Sequence, residues 1–182
     1  MAQQAAFSTA MCEQGMPVSA TNRGWLAQIL LAQRTGRTCL PVCLGLGKNI
    51  FQQVFAGTAL PEGDDLRQEL LSLREDEWQD INQLLVKYRA GECDGEVLLA
   101  AVVAAGCLGG DHLWRDIGLN SRAELRQLLN DNFPSLVDAN RADMKWKKFF
   151  YKQLCEAEGG YVCRAPSCEV CSAYDDCFGP EN

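Results

Sequence analysis

Hydrophobic side chains recur at intervals of three and four residues along most of the chain, and this spacing places them on one face of an α-helix. Thr21 or Asn22 could cap the first helix. Pro41 could open a second helical segment, and Gly57 has the position of its stop signal. No stretch alternates between hydrophobic and polar residues in the manner of a β-strand. The pattern therefore predicts an all-α fold, a helical bundle.

The middle of the chain has the strongest helical pattern. It runs over residues 65–88, and the capping-box spacing of Ser72 and Glu75 predicts a break into two helices. Residues 97–103 are apolar on every face, which is typical of a helix at the centre of a bundle. The whole apolar run, residues 97–108, is about half of the roughly 20 residues needed to span a bilayer. We therefore expect a core helix here.

The pattern in the last third of the chain predicts three more helices. Asp111 is expected to cap a short one, and Ser121 with Glu124 has the spacing of a capping box that opens the next. Pro134 interrupts the pattern. Beyond it, one long helix is predicted over residues 136–156, immediately before a segment rich in cysteine.

This pattern divides the chain into a flexible leader at residues 1–20, a helical domain at residues 21–156 and a Cys-rich tail at residues 157–182 that packs on the domain. The formal net charge is -7. An acidic chain is poorly suited to nucleic acids or anionic membranes, because clustered lysines and arginines bind both. The first ten residues contain neither the basic nor the apolar region of a secretory signal, so a cytoplasmic location is expected.

The chain contains ten cysteines, and in a reducing compartment clustered thiols more often bind metal than form disulfides. Four of them have the spacing C-x4-C-x2-C-x5-C: Cys163, Cys168, Cys171 and Cys177. Short loops bring such thiolates to one centre at little entropic cost. The four run together without the longer segment that separates the ligand pairs of a structural zinc site. The spacing therefore predicts a C-terminal Cys-rich metal-binding loop and favours an iron–sulfur cluster, with zinc as the open alternative.

Two further residues could assist a metal site. Cys155 precedes the motif and could be a fifth ligand, although a cysteine on such a helix is often simply buried. His112, the single histidine, could supply a nitrogen ligand or help to capture an anion at a helix N-terminus, or could be structural. With one histidine and no Ser/His/Asp arrangement, the chain is expected not to be an enzyme. The cysteines that we expect in the core are Cys39, Cys43, Cys93 and Cys107.

Three segments resemble the NifQ family of nitrogen-fixation proteins. They are Gly110-Asp-His-Leu-Trp114 with the stretch at 117–124, the run from Asp143 to Glu156, and the cysteine motif with the Phe-Gly-Pro that follows it. A weaker likeness occurs at residues 44–46. The resemblance covers roughly residues 40–181 and is most specific in the C-terminal part.

The resemblance implies a molybdenum donor for biosynthesis of the iron–molybdenum cofactor of nitrogenase. It implies a 4Fe-4S or MoFe3S4-type cluster on the four motif cysteines, and delivery of molybdenum to the cofactor scaffold NifEN and the iron protein NifH. Two alternatives are a zinc-stapled helical module that docks other proteins and an iron–sulfur protein of electron transfer or redox sensing.

A series of basic residues precedes the motif. Their spacing of 4, 3 and 4 would place them on one face of the predicted long helix, opposite its aromatic residues. The strip is either an ordinary solvated face or a guide for molybdate or an acidic partner. It consists of Arg141, Lys145, Lys148 and Lys152, and Arg164 inside the motif would extend it.

Overall fold

The computed structural model describes residues 18–60, 65–157 and 174–180. The regular secondary structure of these ranges is entirely helical, which confirms the predicted all-α class. In chain order the helices are α1 (Ala20–Arg34), α2 (Lys48–Val54), α3 (Leu66–Leu73), α4 (Glu75–Lys87), α5 (Gly95–Cys107), α6 (Leu113–Asp116), α7 (Arg122–Asn132), α8 (Pro134–Ala139), α9 (Trp146–Ala157) and α10 (Tyr174–Phe178).

Helix α5 forms the centre of the fold, as its uniformly apolar sequence predicts. Eleven of its thirteen residues are buried, and it packs against α1, α4 and α6. Gly106 permits a close approach of Ile117 to α5, because a Cβ at position 106 would overlap the Ile117 side chain. Burying one leucine-sized side chain stabilises a fold by about 1.5–3 kcal/mol, so α5 is a major source of stability. No helix of the described ranges is long and apolar enough to cross a membrane.

Two helix starts show how serine caps work in this chain. The hydroxyl of Ser19 accepts a hydrogen bond from the amide of Asn22 at 3.1 Å, so Ser19 caps α1, and the predicted caps Thr21 and Asn22 were wrong. At α7 the prediction is confirmed: the hydroxyl of Ser121 accepts from the amide of Glu124 at 3.1 Å.

The segment before α2 is not helical, so the expectation that Pro41 opens a helix was wrong. Residues 41–46 form turns instead, with Leu44 and Gly45 at φ values of 60° and 82°. Glycine is required at position 45, because a Cβ there would overlap that of Ala105 on α5. The turns thereby pack the chain closely on the central helix.

The predicted break between α3 and α4 is present, although its cause differs from the prediction. The hydroxyl of Ser72 donates to the carbonyl of Gln68 at 2.9 Å and caps nothing. Arg74 separates the helices. Its guanidinium binds Glu77 through two nitrogens at 2.7 and 2.8 Å and donates to the carbonyl of Leu108 at 2.8 Å.

The prediction of one long helix over residues 136–156 was wrong, because residues 140–145 separate α8 from α9. The buried amide of Asn140 donates to the carbonyl of Met144 at 2.8 Å and accepts from its amide at 2.9 Å. Asp143 lies in the left-handed region at φ 53°, and Arg122 donates to its carbonyl at 2.9 Å. These hydrogen bonds stabilise the turn against a continuous helix.

Candidate metal-binding site

Cys177 is the motif cysteine that the structure describes, whereas Cys163, Cys168 and Cys171 lie outside the described residues. It lies in α10, and its half-buried side chain packs against the core together with Phe178. The backbone amide of Lys145 donates to the carbonyl of Cys177 at 2.7 Å. The side-chain nitrogen of Lys145 donates to the carbonyl of Asp175 at 2.7 Å. Lys145 therefore holds the end of the motif against the helical body.

This contact depends on the interruption before α9. Lys145 precedes the helix, and its carbonyl accepts the amide of Phe149 at 2.9 Å. The amide of a residue at this position has no partner within its own helix and is available to another segment. In a continuous helix that amide would donate to a carbonyl of the preceding turn. The turn at residues 140–145 therefore makes the attachment of α10 possible.

Lys147 anchors the first turn of α9 beneath the glycine-rich segment that precedes α6. Its ammonium donates to the carboxylate of Asp116 and, at 2.8 Å, to the carbonyl of Gly109. The exposed fractions of the Lys147 and Asp116 side chains are 18% and 7%. The Asp116 carboxylate also accepts from the amide of Asp111 at 3.0 Å. A Cβ at Gly109 would overlap this carboxylate, which explains the glycine.

His112 directly follows the glycine-rich segment that Lys147 contacts. It is the N-cap residue of α6, whereas Asp111 was predicted to be the cap and instead accepts the amide of His112 at 2.6 Å through its carboxylate. The contacts of Lys147 with Gly109 and Asp116 therefore fix the position of His112 relative to α9.

A second polar link joins α9 to α4. The hydroxyl of Tyr151 donates to the carboxylate of Glu77, which the guanidinium of Arg74 also binds. The hydrogen bond from Arg74 holds the pKa of Glu77 below its ordinary value, while burial and the Glu77 carboxylate raise the pKa of Tyr151. The phenol therefore stays protonated and keeps donating.

An open depression of about 470 Å³ lies between α6, the start of α9 and α10. Its lining residues include Lys145, Lys148 and His112, and also the acidic residues Asp111 and Asp176. Trp146 also lines the depression, while its indole nitrogen is buried and has no hydrogen-bond acceptor among the described residues. The depression adjoins Cys177 through Asp176, the residue before it. The lysines of this lining suit a small anion, whereas the carboxylates of Asp111 and Asp176 oppose one.

The predicted basic strip is not formed as one helical face. Arg141 and Lys145 precede α9, and only Lys148 and Lys152 lie on the helix. Arg141 donates to the carbonyl of Asp138 at 3.4 Å, and Lys152 pairs with Glu156 at 3.6 Å. The structure instead brings Lys145 and Lys148 together at the depression. Arg164 lies outside the described residues.

Cys155 lies near the end of α9 and is half-buried. In the part of the chain that the structure describes, no three His, Cys, Asp or Glu side chains are grouped closely enough to hold a metal ion. The prediction of Cys155 as a further ligand therefore stays a prediction, as does that of the Cys-rich loop.

Cys39 and Cys107 lie close to Asp116 and take no part in the motif. Burial, with the Asp116 charge as a further cause, raises the pKa of Cys39 to about 12, and burial raises that of Cys107 to about 12. Cys43 is also buried, and its pKa is raised for the same reason. Thiols of this kind stay protonated at neutral pH and are poor metal ligands. The predicted core position is confirmed for Cys43 and Cys107, whereas Cys39 and Cys93 are partly buried.

Lys147 was absent from the predicted basic strip, although it does more to position the site than Arg141 or Lys152. One signal could have found it. On a helical pattern, Lys147 lies three residues before Phe150 and four before Tyr151, on the side that faces the core. A lysine there needs a carboxylate partner, but the sequence does not show that this partner is Asp116.

The described residues form a helical body, and a depression with lysines in its lining lies beside Cys177. The cysteine motif follows the last long helix in the sequence, which makes the chain a candidate metal-binding protein. The model of the NifQ family matches residues 25–179. Protein NifQ of Azotobacter vinelandii is 48% identical over 174 residues, which cover 88% of this chain and 89% of the relative. Protein NifQ of Klebsiella pneumoniae is 36% identical over 164 residues, covering 85% of this chain and 96% of the relative. No solved structure matches.

The chain therefore belongs to the NifQ family of nitrogen-fixation proteins. The resemblance drawn from the sequence is confirmed.

Proposed function

We propose that this chain processes molybdenum and donates it for assembly of the iron–molybdenum cofactor of nitrogenase. In this proposal the four motif cysteines hold an iron–sulfur cluster of 4Fe-4S or MoFe3S4 type as cargo, and the chain acts as a carrier without catalysing a reaction of its own. The observation that carries the proposal is the motif C-x4-C-x2-C-x5-C in a chain of the NifQ family. The scaffold NifEN and the iron protein NifH are the proposed partners.

The chemistry of the motif fits this cargo. Molybdate is an oxygen-ligated anion, whereas the cofactor holds molybdenum beside iron and sulfide. Thiolates are soft ligands that suit iron–sulfur clusters, so a sulfur-rich carrier would give molybdenum the surroundings it needs later. The half-buried position of Cys177 at the surface of the body is compatible with release, which a closed cage of ligands would hinder.

The depression beside Cys177 supports a route for molybdate. Lys145 and Lys148 bring positive charge into an otherwise acidic protein, and charge of this sign raises the local concentration of a dianion. His112, which also lines the depression, adds a potential hydrogen-bond donor. His112 is also a candidate nitrogen ligand, and Cys155 a candidate fifth thiolate.

Anaerobic purification followed by metal analysis and electron paramagnetic resonance tests the proposal. We expect brown protein with iron, acid-labile sulfide and, after growth with molybdate, molybdenum. Colourless protein with one zinc would support the zinc-stapled alternative and contradict the proposal. Iron–sulfur protein that cycles reversibly by one electron, never holds molybdenum and fails to support cofactor assembly would support the redox alternative.

Single replacements test the ligand assignment. Cys163→Ala, Cys168→Ala, Cys171→Ala and Cys177→Ala should each abolish cluster retention, whereas Cys12→Ala removes a cysteine outside the motif and should retain it. Full iron content in all four motif variants would show that the assignment is wrong. The variants Cys155→Ala and His112→Ala ask whether either side chain assists: a partial loss of molybdenum with normal iron would assign the residue to molybdenum.

A further inference from the structure

Helix α3 presents an apolar face that no other described part of the chain covers. The exposed fractions of Leu66, Leu70 and Leu73 are 66%, 55% and 82%, and their spacing of four and three residues places them on one side of the helix. None of the residues of α3 is buried, although Leu71 packs against the edge of the core. Contiguous exposed leucines of this kind mark surfaces that bind another molecule.

The same face borders a cavity of about 670 Å³ with arginines around it. Leu70 and Leu71 line its apolar side together with Leu108. Its positive side chains come from three segments: Arg37 follows α1, Arg67 and Arg74 belong to α3 and its end, and Arg115 lies in α6. An apolar centre with guanidinium groups at its edge is the composition that protein interfaces favour, because arginine and large apolar residues are enriched there.

Two of these guanidinium groups are not neutralised within the described residues. Arg74 pairs with Glu77, and Arg115 pairs with Asp111 at 3.6 Å. The described partners of Arg37 and Arg67 are neutral: Arg37 donates to the hydroxyl of Thr35 at 3.2 Å, and Arg67 donates to the carbonyl of Leu40 at 3.4 Å. Local positive charge in a chain of net charge -7 favours a negatively charged partner.

We propose that the leucine face of α3 and the arginine-lined cavity beside it form a docking surface for an acidic partner protein. The matching surface has apolar side chains at its centre and carboxylates at its edge. A second copy of this chain fits less well, because a two-fold contact through this face would bring the arginines of one copy near those of the other. A small anion would leave the leucines uncovered.

The position of the surface connects it to the proposed transfer of molybdenum. Asp111 lines both the arginine-lined cavity and the depression beside Cys177. A protein docked on α3 would thus lie next to the depression beside Cys177. In identifying the partner with the cofactor scaffold, the inference rests on the proposed function.

The test measures binding of the full chain to immobilised NifEN at low and at high salt. The double variant Leu66→Gln/Leu73→Gln should weaken binding at least tenfold, since both side chains lose apolar contact. The double variant Arg37→Glu/Arg67→Glu should weaken it at least tenfold at low salt and less at high salt, because salt screens the charges. The matched controls are Leu31→Gln, at a leucine 62% exposed on α1, and Arg89→Glu, at an exposed arginine after α4.

Binding by both double variants within twofold of the original chain would overturn the inference, and so would absence of binding by the original chain at low salt. Self-association that the leucine variant abolishes would assign the face to a second copy and also overturn it. Metal analysis of the same samples separates the two proposals. Normal binding by a chain that never holds molybdenum would refute the proposed function and leave the docking surface standing.

Discussion

Helices α3 and α9 carry apolar residues at the same helical spacing, yet one faces solvent and the other the core. In α9 the exposed fractions of Trp146, Phe149 and Phe150 are 2%, 4% and 0%. Their rings lie 5.9 to 6.1 Å apart and pack on one another as well as on the core. In α3 no side chain is buried. Periodicity thus identifies an apolar face but does not show whether the same chain covers it.

The polar contacts of the two helices differ in the same sense. Helix α9 is attached through Lys147 to Asp116 and through Tyr151 to Glu77, and both links reach residues far away in the chain. Arginines border α3 instead and leave positive charge at the surface. Helix α9 is therefore fixed within the body that carries Cys177, whereas α3 is part of the proposed docking surface.

The largest expected effect is a difference in stability between a core variant of α9 and a surface variant of α3. Phe150→Ala removes a fully buried ring from α9 and should lower the free energy of unfolding by about 3–5 kcal/mol. Leu73→Ala on α3 should change it by less than about 0.5 kcal/mol, because that side chain is exposed. Urea unfolding followed by circular dichroism measures both. Equal losses would mean that the face of α3 is covered in solution by the chain itself.

The next effect concerns the buried ion pair beneath the depression. Lys147→Met leaves the buried carboxylate of Asp116 without its counter-charge and should cost about 3 kcal/mol in the same unfolding experiment. Adding Asp116→Asn should recover part of the loss, since the uncompensated charge is then removed. Lys148→Met is the matched control on the exposed side of α9 and should be nearly neutral. A single variant as stable as this control would contradict the role given to Lys147.

A smaller effect should follow from the turn that attaches α10. Asn140→Ala removes two buried hydrogen bonds to Met144 and should cost about 2 kcal/mol. It should also raise hydrogen exchange at the amide of Lys145, whose acceptor is the carbonyl of Cys177. Asn130→Ala, at an exposed position of α7, should alter neither quantity. Unchanged hydrogen exchange at Lys145 would show that the turn is not needed for the attachment of α10.

The smallest effect is a pH dependence at the link between α9 and α4. Because the pKa of Glu77 is lowered in the folded chain, mainly by Arg74, its contribution is present above the ordinary value of 4.5 and is lost as the pH falls below it. Glu77→Gln should therefore reduce stability at pH 7, by up to about 1 kcal/mol for a partly exposed pair, and flatten its decline in acid. Thermal unfolding from pH 3 to pH 7 measures the difference. Identical pH profiles would contradict the assigned role.

Local pattern predicted much of this fold because much of it is locally determined. The uniformly apolar residues of α5 can only be buried together, and the cap of α7 lies within four residues of chain. The interruption at residues 140–145 was missed because it leaves no signal in the spacing of apolar residues. Besides the local hydrogen bonds between Asn140 and Met144, it involves Arg122, which lies far from Asp143 in sequence and donates to its carbonyl.

The candidate site likewise has a part that could be predicted from the sequence and a part that could not. The cysteine spacing is a property of the sequence, so the motif was visible at once. The neighbours of Cys177 were not visible, because Lys145 reaches it through a backbone amide that any residue could supply. The pairing of Lys147 with Asp116 likewise depends on how α6 packs beside α9. Spacing identifies the motif, while tertiary packing determines what surrounds Cys177.

The proposed molybdenum cargo is tested most directly by X-ray absorption at the molybdenum edge, on protein purified anaerobically from cells supplied with molybdate. We expect molybdenum surrounded by sulfur with iron in the next shell, and loss of this signal in Cys177→Ala but not in Cys12→Ala. Molybdenum bound only by oxygen, as in free molybdate, or a signal unchanged in Cys177→Ala, would contradict the proposal.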